Sequence, residues 1–170
     1  GFYSVNRYSA IMSRGEGVIA VSNCIRDYIL THYPSTPEDH IRIIPNAISP
    51  DQHHPDYSPS REWLTGWHMS YPELKGKFTL CLPGRITRLK GQLDLIPIVR
   101  QLLERGIPAH AVIVGETKKG KEEYKNEVLR EIERAGVSHA FTWTGHRQDL
   151  RDIISTCSVT LSLTKSPEAF

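Results

Sequence analysis

The segment FTLCLPGRITRLKGQLDLIPIVRQLLERG, residues 78–106, decides the fold. It starts as a short apolar run, turns at Pro83-Gly84, and resumes after Gly91 with apolar residues at helical spacing. The segment is therefore predicted to be a β-strand followed by an α-helix that ends at Gly106. Pro97 fits this helix only near its first turn or at a bend. The predicted inward-facing residues are Leu93, Ile96, Val99 and Leu102.

The same alternation continues to the end of the chain. Strand-like runs occupy residues 109–115, 139–145 and 158–164, and helical patterns occupy residues 121–136 and 147–156. Strands that alternate with helices form a parallel sheet with right-handed crossovers and helices on both faces. The sequence therefore predicts an α/β fold with a Rossmann-like parallel sheet.

The part of the chain before residue 78 contains shorter elements. Residues 17–22 and 41–46 are predicted strands, and residues 24–33 form a predicted helix capped by Ser22 or Asn23. Residues 47–61 are rich in Pro, Asp, Ser and His, which indicates a linker. A further helix is predicted directly after this linker, and its Trp63 and Trp67 are expected to pack, with acceptor contact as a second reading.

The composition excludes several classes of protein. The chain has 170 residues, 39% hydrophobic and 24% charged, with a net charge of +2, which is too balanced for general nucleic-acid binding. No apolar run reaches the length of a membrane span. The three cysteines form no CxxC pair, and His53-His54 lack a third spaced ligand, so no metal site is predicted. Because the chain starts with Gly1 rather than Met, we expect a portion of a longer protein.

Ligands of parallel sheets bind at the carboxyl ends of the strands. The last four predicted strands end near Gly84, Gly115, Gly145 and Ser166, where small residues allow a backbone to approach a ligand. Neither G-x-G-x-x-G nor a P-loop motif occurs, so side chains must hold any anionic ligand.

Arg85 and Lys90 are the candidates for binding an anion at the first of these strand ends. An arginine offers a bidentate fork to phosphate oxygens and a lysine a point charge. Gly91 would open a helix whose free N–H groups also attract anions. From these residues alone, the alternative that both cations are solvated loop charges stays open.

The ordered set of motifs between residues 17 and 170 resembles the retaining family-4 (group 1) nucleotide-sugar glycosyltransferases of the GT-B fold. Enzymes of this family have two Rossmann-like domains with the active site in the cleft between them. The motifs that carry the resemblance are GVIAVSNCIRDYIL, IRIIPNAIS, PGRITRLKGQLDLI, AVIVGE, FTWTGHRQDLRDII and LSLTKSPEAF.

The resemblance implies a division of the chain into three parts. Residues 1–44 would be the C-terminal end of the acceptor-binding domain, residues 45–74 an interdomain linker region, and residues 75–170 the first part of the nucleotide-sugar-binding domain. The family pattern continues past Phe170 to a second glutamate. We therefore expect this chain alone to be inactive as a transferase.

The resemblance also implies catalytic residues. Arg85 and Lys90 would bind the diphosphate of the donor and stabilise its charge as it leaves, so that no divalent metal and no cofactor is required. Glu168 matches the first glutamate of the family's Glu-x7-Glu pair, which lies at the donor sugar. The alternative for Glu168 is a carboxylate that stabilises a helix start.

Further residues are implied to bind the substrate. The backbone N–H groups of Ala169 and Phe170 would face sugar oxygens. For His146 a surface-loop position and for Glu116 a solvated charge remain open. The loops that would line the nucleotide cleft contain Gly84, Gly115, Glu116, Gly145, His146 and Arg147.

The expected function is transfer of a hexose from a nucleoside-diphosphate sugar to an acceptor hydroxyl, in cell-surface polysaccharide or lipopolysaccharide biosynthesis. The partners would be the nucleotide-sugar donor and a glycan or lipid-linked acceptor, with no nucleic acid. The expected location is the cytoplasm, including peripheral association with the inner face of the membrane. The alternatives are a nucleotide-sugar epimerase of the same fold and a non-catalytic nucleotide-sugar-binding module.

Overall fold

The structure is a computed structural model that describes residues 10–50, 54 and 56–165. The chain divides into two compact units. The described residues up to residue 50 belong to the first unit, and residue 54 and residues 56–165 belong to the second. No helix among the described residues has the length and apolar character that a membrane span requires.

Among its described residues, the first unit contains two short parallel strands and the helix between them. Strand β1 spans Val18–Ala20, helix α1 spans Asn23–His32, and strand β2 spans Ile41–Ile43. The Ser22 hydroxyl accepts a hydrogen bond from the Ile25 N–H at 3.3 Å, so Ser22 is the predicted N-cap of α1. The small core consists of Val18, Ala20, Ile29, Tyr33 and Ile41.

The second unit is a four-stranded parallel sheet with the strand order β5-β4-β3-β6. Among the described residues its strands alternate with helices as the sequence predicts. Its elements are α2 (Arg61–Ser70), β3 (Phe78–Pro83), α3 (Gln92–Glu104), β4 (Ala109–Val114), α4 (Glu123–Arg134), β5 (Phe141–Gly145), α5 (Leu150–Thr156) and β6 (Val159–Thr160).

Helices cover both faces of this sheet. All six residues of β4 are buried, as in a central parallel strand. On one face Leu82 and Ile113 pack with α3 and α4, and on the other face Cys81 and Val112 pack with α2 and α5. Successive strand residues thus enter different cores. The predicted α/β fold with a parallel sheet is confirmed.

Helix α3 differs in detail from its predicted pattern. Its fully buried apolar residues are Leu95 and Val99, whereas Leu93 and Leu102 are only partly buried at the edge of the core. Pro97 lies inside the helix, beyond its first turn, on the exposed side. Because proline has no N–H, Pro97 cannot donate a hydrogen bond to the Leu93 carbonyl of the preceding turn.

Strand β6 is shorter than the predicted run of residues 158–164. It pairs with β3 only at Val159 and Thr160, after which the Leu161 N–H donates to the Cys81 carbonyl at 2.8 Å. The chain then leaves the sheet, and the Lys165 N–H donates to the Leu89 carbonyl at 2.9 Å. The segment beyond β6 therefore packs on the loop that follows β3.

A chain of hydrogen-bonded polar groups lies near the amino ends of β4 and β5, with His110 and Thr142 buried and Glu73 exposed. The Thr142 hydroxyl donates to the Glu73 carboxylate at 2.7 Å and lies 2.9 Å from the His110 Nε2. Since the hydroxyl proton is used, His110 must donate from Nε2. Burial lowers the pKa of His110, which keeps the ring neutral, although the nearby Glu73 opposes this shift.

Candidate functional site

Backbone hydrogen bonds join the loops at the carboxyl ends of β3, β4 and β5. The Gly84 N–H donates to the Val114 carbonyl and the Gly115 N–H donates to the Gly145 carbonyl, each at 2.8 Å. The Ile86 N–H donates to the Glu116 carbonyl at 3.1 Å. The structure thus brings the three predicted glycines together at one edge of the sheet.

Gly115 is required by a close approach of two backbones. Its φ is +147°, and a Cβ at this position would lie 2.0 Å from the Gly84 carbonyl oxygen. A side chain here would therefore force the loops after β3 and β4 apart. The two loops have a defined relative position because this contact and the Ile86–Glu116 bond hold them together.

Gly91 lies at the switch point of the sheet, where β6 returns to the other side of β3. A Cβ at Gly91 would lie 2.2 Å from the Leu163 carbonyl oxygen. Gly91 is the N-cap of α3 and is buried under Leu163, and an anion contact at this helix terminus stays a prediction. In addition, the first turn of α3 already carries the Asp94 carboxylate, 3.1 Å from Lys165 Nζ.

Lys90 lies beside Gly84. The Lys90 Cδ is 3.5 Å from the place that a Cβ of residue 84 would occupy, so the glycine leaves room for the lysine stem. Lys90 ends a single 3-10 turn, Arg88–Lys90, and is half-buried. The Lys90 N–H donates to the Thr87 carbonyl at 2.9 Å, which holds the turn in shape.

Arg85 is exposed, and its guanidinium has no hydrogen-bond or ion-pair partner among the described residues. Its backbone is held by Gln92, whose Nε2 donates to the Arg85 carbonyl at 3.1 Å. Gln92 is fully buried, and its Oε1 has no partner within the described part of the chain. An unpaired cation on an anchored backbone suits the binding of an anion.

Gln92 was not predicted from the sequence to position Arg85. The available signal was a polar residue directly after Gly91, at the start of a helix that continues with several apolar residues. Burial of an amide requires a partner, and only the three-dimensional structure identifies that partner as the Arg85 carbonyl.

Arg88 is the third cation of the same loop, and it has a partner. It forms a bidentate ion pair with Glu127 of α4, with Nη1 at 3.0 Å from Oε1. Its guanidinium carbon also lies 5.2 Å from the centre of the Tyr124 ring. Arg88 therefore links the loop after β3 to α4, whereas Arg85 stays available to a ligand.

The predicted substrate-binding residues in the loops after β4 and β5 differ in exposure and in their hydrogen-bond partners. Glu116 Oε1 lies 3.5 Å from the position of a Cβ on Gly145, and both Glu116 and His146 are exposed. Arg147 instead forms two bonds to Asp149, at 2.8 and 2.6 Å. The Arg147 guanidinium is thus fixed by its own loop.

Asp149 also accepts a hydrogen bond from Trp63 Nε1 at 2.7 Å, which ties this loop to α2. The Arg147 bonds, followed by the Trp63 bond, lower the pKa of Asp149 to about 2 against the effect of burial. Trp63 stacks on the buried Trp67 with ring centres 5.3 Å apart. The prediction that both tryptophans pack is confirmed.

Glu168, Ala169 and Phe170 lie outside the described residues, so their roles stay predictions. Within the described part of the chain, no cluster of three His, Cys, Asp or Glu residues is arranged to hold a metal ion.

Solved glycosyltransferase structures have a similar fold. HepE of Anabaena in complex with UDP and glucose matches 96% of this chain and 42% of its own, with a TM-score of 0.81 and 20% identity. A glycosyltransferase of Rickettsia africae matches 99% of this chain and 44% of its own, with a TM-score of 0.80 and 22% identity. WaaG, a glycosyltransferase involved in lipopolysaccharide biosynthesis, matches 93% and 41%, with a TM-score of 0.69 and 16% identity.

The chain spans less than half of the length of each of these proteins. At these identities the likeness establishes the fold, which is that of a GT-B glycosyltransferase domain. No curated protein matches the chain in a sequence search. Residues 67–170, more than half of the chain, match the family described as glycosyl transferases group 1. The chain therefore belongs to the group 1 glycosyl transferases.

Proposed function

We propose that the complete protein transfers a hexose from a nucleoside-diphosphate sugar to an acceptor hydroxyl and retains the configuration at the anomeric carbon, as a family-4 enzyme. The observation that carries this proposal is the loop after β3. It combines an unpaired, exposed Arg85 with a Lys90 laid against Gly84, at the carboxyl edge of a parallel sheet. HepE, a protein of similar fold, is known in complex with UDP-glucose, which supports a nucleotide sugar as the donor.

In the reaction, the bond between the anomeric carbon and the diphosphate oxygen breaks, and the electron pair leaves with the diphosphate. Arg85 and Lys90 would stabilise this growing negative charge without a metal ion. The acceptor oxygen forms the new bond to the anomeric carbon and gives its proton to the departing diphosphate. Because Gln92 holds the Arg85 backbone, the charge-stabilising group needs little rearrangement.

The remaining predicted residues take roles around this pair. Glu168 would accept hydrogen bonds from sugar hydroxyls or stabilise positive charge at the reacting carbon, and the N–H groups of Ala169 and Phe170 would face sugar oxygens. Gly145 and His146 would lie beside the nucleotide base. Arg147 would act on this loop through Asp149.

The proposed acceptor is a growing cell-surface glycan, free or lipid-linked, and WaaG supports this choice as a protein of similar fold that acts in lipopolysaccharide biosynthesis. The proposed location is the cytoplasm, including the inner face of the membrane. Residues 1–44 would end the acceptor-binding domain, residues 45–74 would connect the domains, and residues 75–170 would begin the donor-binding domain.

Calorimetric titration of the complete protein with UDP, GDP and ADP tests the donor site. Arg85→Ala and Lys90→Ala should each weaken the preferred nucleotide by roughly 1.5–3 kcal/mol, because each removes a charge-assisted phosphate bond. Arg88→Ala is the matched control, since Arg88 is already paired with Glu127. Unchanged binding of all three nucleotides in both variants would show that the phosphate site is assigned wrongly.

Turnover distinguishes the proposed transferase from its alternatives. Glu168→Gln should lower the rate of sugar transfer while nucleotide affinity stays constant. Wild-type turnover in this variant would contradict the sugar-site assignment. Conversion of the free nucleotide sugar without an acceptor would favour an epimerase, and tight binding without turnover would favour a binding module.

A further inference from the structure

A cavity of about 460 Å³ lies beside Arg85, between the loop after β3 and the loop after β4. Its size falls within the range of small-molecule sites. Four of the side chains that line it are cations, Arg85, Arg88, Lys118 and Lys121, whereas the only carboxylate among the described lining residues is Glu123. We refer to it as the cationic cavity.

Three of these cations are available to a ligand. The side chains of Arg85, Lys118 and Lys121 are exposed and make no hydrogen bond or ion pair to any described residue. Arg88 differs, because Glu127 neutralises it and the Tyr124 ring supports it. The cavity thus has a fixed wall at Arg88 and unpaired positive charge on its other sides.

The backbone holds the two lysines near Arg85. The Lys121 N–H donates to the Lys118 carbonyl at 2.9 Å, which places both lysines on one turn, and the Gly120 N–H donates to Glu122 at 2.9 Å. The Ile86–Glu116 hydrogen bond ties the loop after β4 to the loop of Arg85. These backbone hydrogen bonds therefore hold the three charges close together, which sequence alone would not do.

The proposed donor site does not account for this charge. Its second cation, Lys90, is not among the described residues that line the cationic cavity, and its stem lies against Gly84 instead. The cavity therefore extends from Arg85 toward Lys118 and Lys121, and Lys90 is not among its described lining residues. A nucleoside diphosphate clamped by Arg85 and Lys90 would leave both lysines without a counterion.

We propose that the cationic cavity binds a phosphate group of the acceptor substrate, with Lys118 and Lys121 as its main contacts and Arg85 shared with the donor diphosphate. This inference rests on the proposed function and adds the substrate class, a phosphorylated glycan acceptor. A discrete phosphate suits a recess whose wall includes the buried Tyr124. A continuous anionic membrane surface suits it less, because a flat layer of headgroups does not enter a recess.

The test uses the complete protein saturated with UDP, so that the donor site is occupied, and inorganic pyrophosphate as the probe. Titration calorimetry should detect pyrophosphate binding to the wild type and a loss of roughly tenfold in affinity in the double variant Lys118→Ala/Lys121→Ala. The control is Lys119→Ala, which removes one positive charge, against two in the double variant, from the same loop at a residue that does not line the cavity. This control should bind pyrophosphate as the wild type does.

Absence of pyrophosphate binding to the UDP-saturated wild type, or equal losses in the double variant and the Lys119 variant, would overturn the inference. Lysine-dependent binding to anionic phospholipid vesicles without binding of soluble pyrophosphate would also overturn it, in favour of a membrane contact. A failure of the proposed function would give a different result, namely unchanged UDP affinity in Arg85→Ala. In that case pyrophosphate binding to the wild type and the lysine variants can be compared without UDP.

Discussion

At the residue scale, Gly91 and Gly76 have nearly the same backbone conformation in different surroundings. Their φ angles are +70° and +71°, but a Cβ on Gly91 would meet the Leu163 carbonyl, whereas nothing lies within 4 Å of one on Gly76. Alanine substitutions at these two glycines therefore distinguish the free-energy cost of the left-handed conformation from the additional cost of a steric overlap.

We expect Gly76→Ala to lower the free energy of unfolding by about 1 kcal/mol, the cost of a left-handed alanine. Gly91→Ala should cost about 3 kcal/mol, because the segment beyond β6 must also move. Urea denaturation of both variants measures the difference. Equal costs would mean that the contact between Leu163 and Gly91 contributes nothing.

Gln92 allows a second prediction at this scale. Gln92→Met conserves volume, removes the bond to the Arg85 carbonyl, and removes an unpaired buried oxygen. The free energy of unfolding should change by less than about 1 kcal/mol because these effects offset each other. Nucleotide affinity should fall by about fivefold, since Arg85 loses its anchor.

Gln101→Met, on the exposed side of the same helix, is the matched control and should leave nucleotide affinity unchanged. In a double-mutant cycle, the effect of Gln92→Met should vanish in the Arg85→Ala background. An undiminished effect in that background would show that Gln92 does not act through Arg85.

At the element scale, Asp149 connects the loop after β5 to α2 through Arg147 and Trp63. Its pKa is about 2 in the folded protein, below the usual 3.8, so the unfolded chain binds the proton more tightly. The stabilisation is therefore fully present above pH 4 and is lost as the pH falls toward 2.

Asp149→Asn should lower the free energy of unfolding by roughly 1–2 kcal/mol at pH 6, after allowance for partial exposure of the pair. The difference from the wild type should shrink as the pH falls from 4 toward 2, measured by urea denaturation. Trp63→Phe, which removes one donor and keeps an aromatic ring, should show a smaller effect. A difference that stays constant with pH would contradict the role of the charge.

The hydrogen-bonded chain of His110, Thr142 and Glu73 joins β4, β5 and the turn before β3. Burial lowers the pKa of His110, while Glu73 opposes and Lys77 and His139 support the shift. The unfolded chain therefore binds a proton on His110 at a higher pH than the folded chain does. Stability from this group is lost as the pH falls below about 6.5.

His110→Gln keeps an amide donor for Thr142 but does not titrate. We expect the variant to lose less stability than the wild type between pH 7 and pH 5, as measured by thermal or urea denaturation. Parallel pH curves for the two proteins would contradict the prediction. Burial raises the pKa of Glu73, but the Thr142 and backbone hydrogen bonds outweigh it and lower the pKa. Glu73 therefore changes the stability of the protein at lower pH than His110 does.

At the scale of the whole molecule, the two units differ in how much core they contain. The second unit holds fully buried residues from β3, β4, α3, α4 and α5, whereas the described part of the first unit contains two three-residue strands and one small core. Two short strands are marginally stable by themselves.

Amide hydrogen exchange should therefore be slowest in β3 and β4 and clearly faster in β1 and β2. Mass-spectrometric exchange on peptides that cover each strand measures this order. Equal protection of β1 and β4 would show that the first unit gains stability that its described core does not supply.

Much of the second unit could be predicted from sequence. The apolar periods changed from strand-like to helix-like at Gly and Pro positions, so element types and the positions of Gly84, Gly115 and Gly145 followed from local chemistry. The end of β6 could not be predicted, because it depends on the contact of Leu163 with Gly91, far away in sequence. The anchoring of Arg85 by Gln92 was missed although the two residues are close in sequence, because only the folded loop brings the Arg85 carbonyl within hydrogen-bond distance of the Gln92 amide.

The sequence by itself determined the α/β class and the edge of the sheet at which a ligand would bind, because strand and helix periods and backbone conformations are local properties. The tertiary structure decided which cations at that edge stay unpaired. Arg85 and Arg88 look equivalent in sequence, yet Arg88 meets Glu127 of α4 and Arg85 meets no described partner. Charge pairing depends on distances between separate elements, and only packing sets those distances.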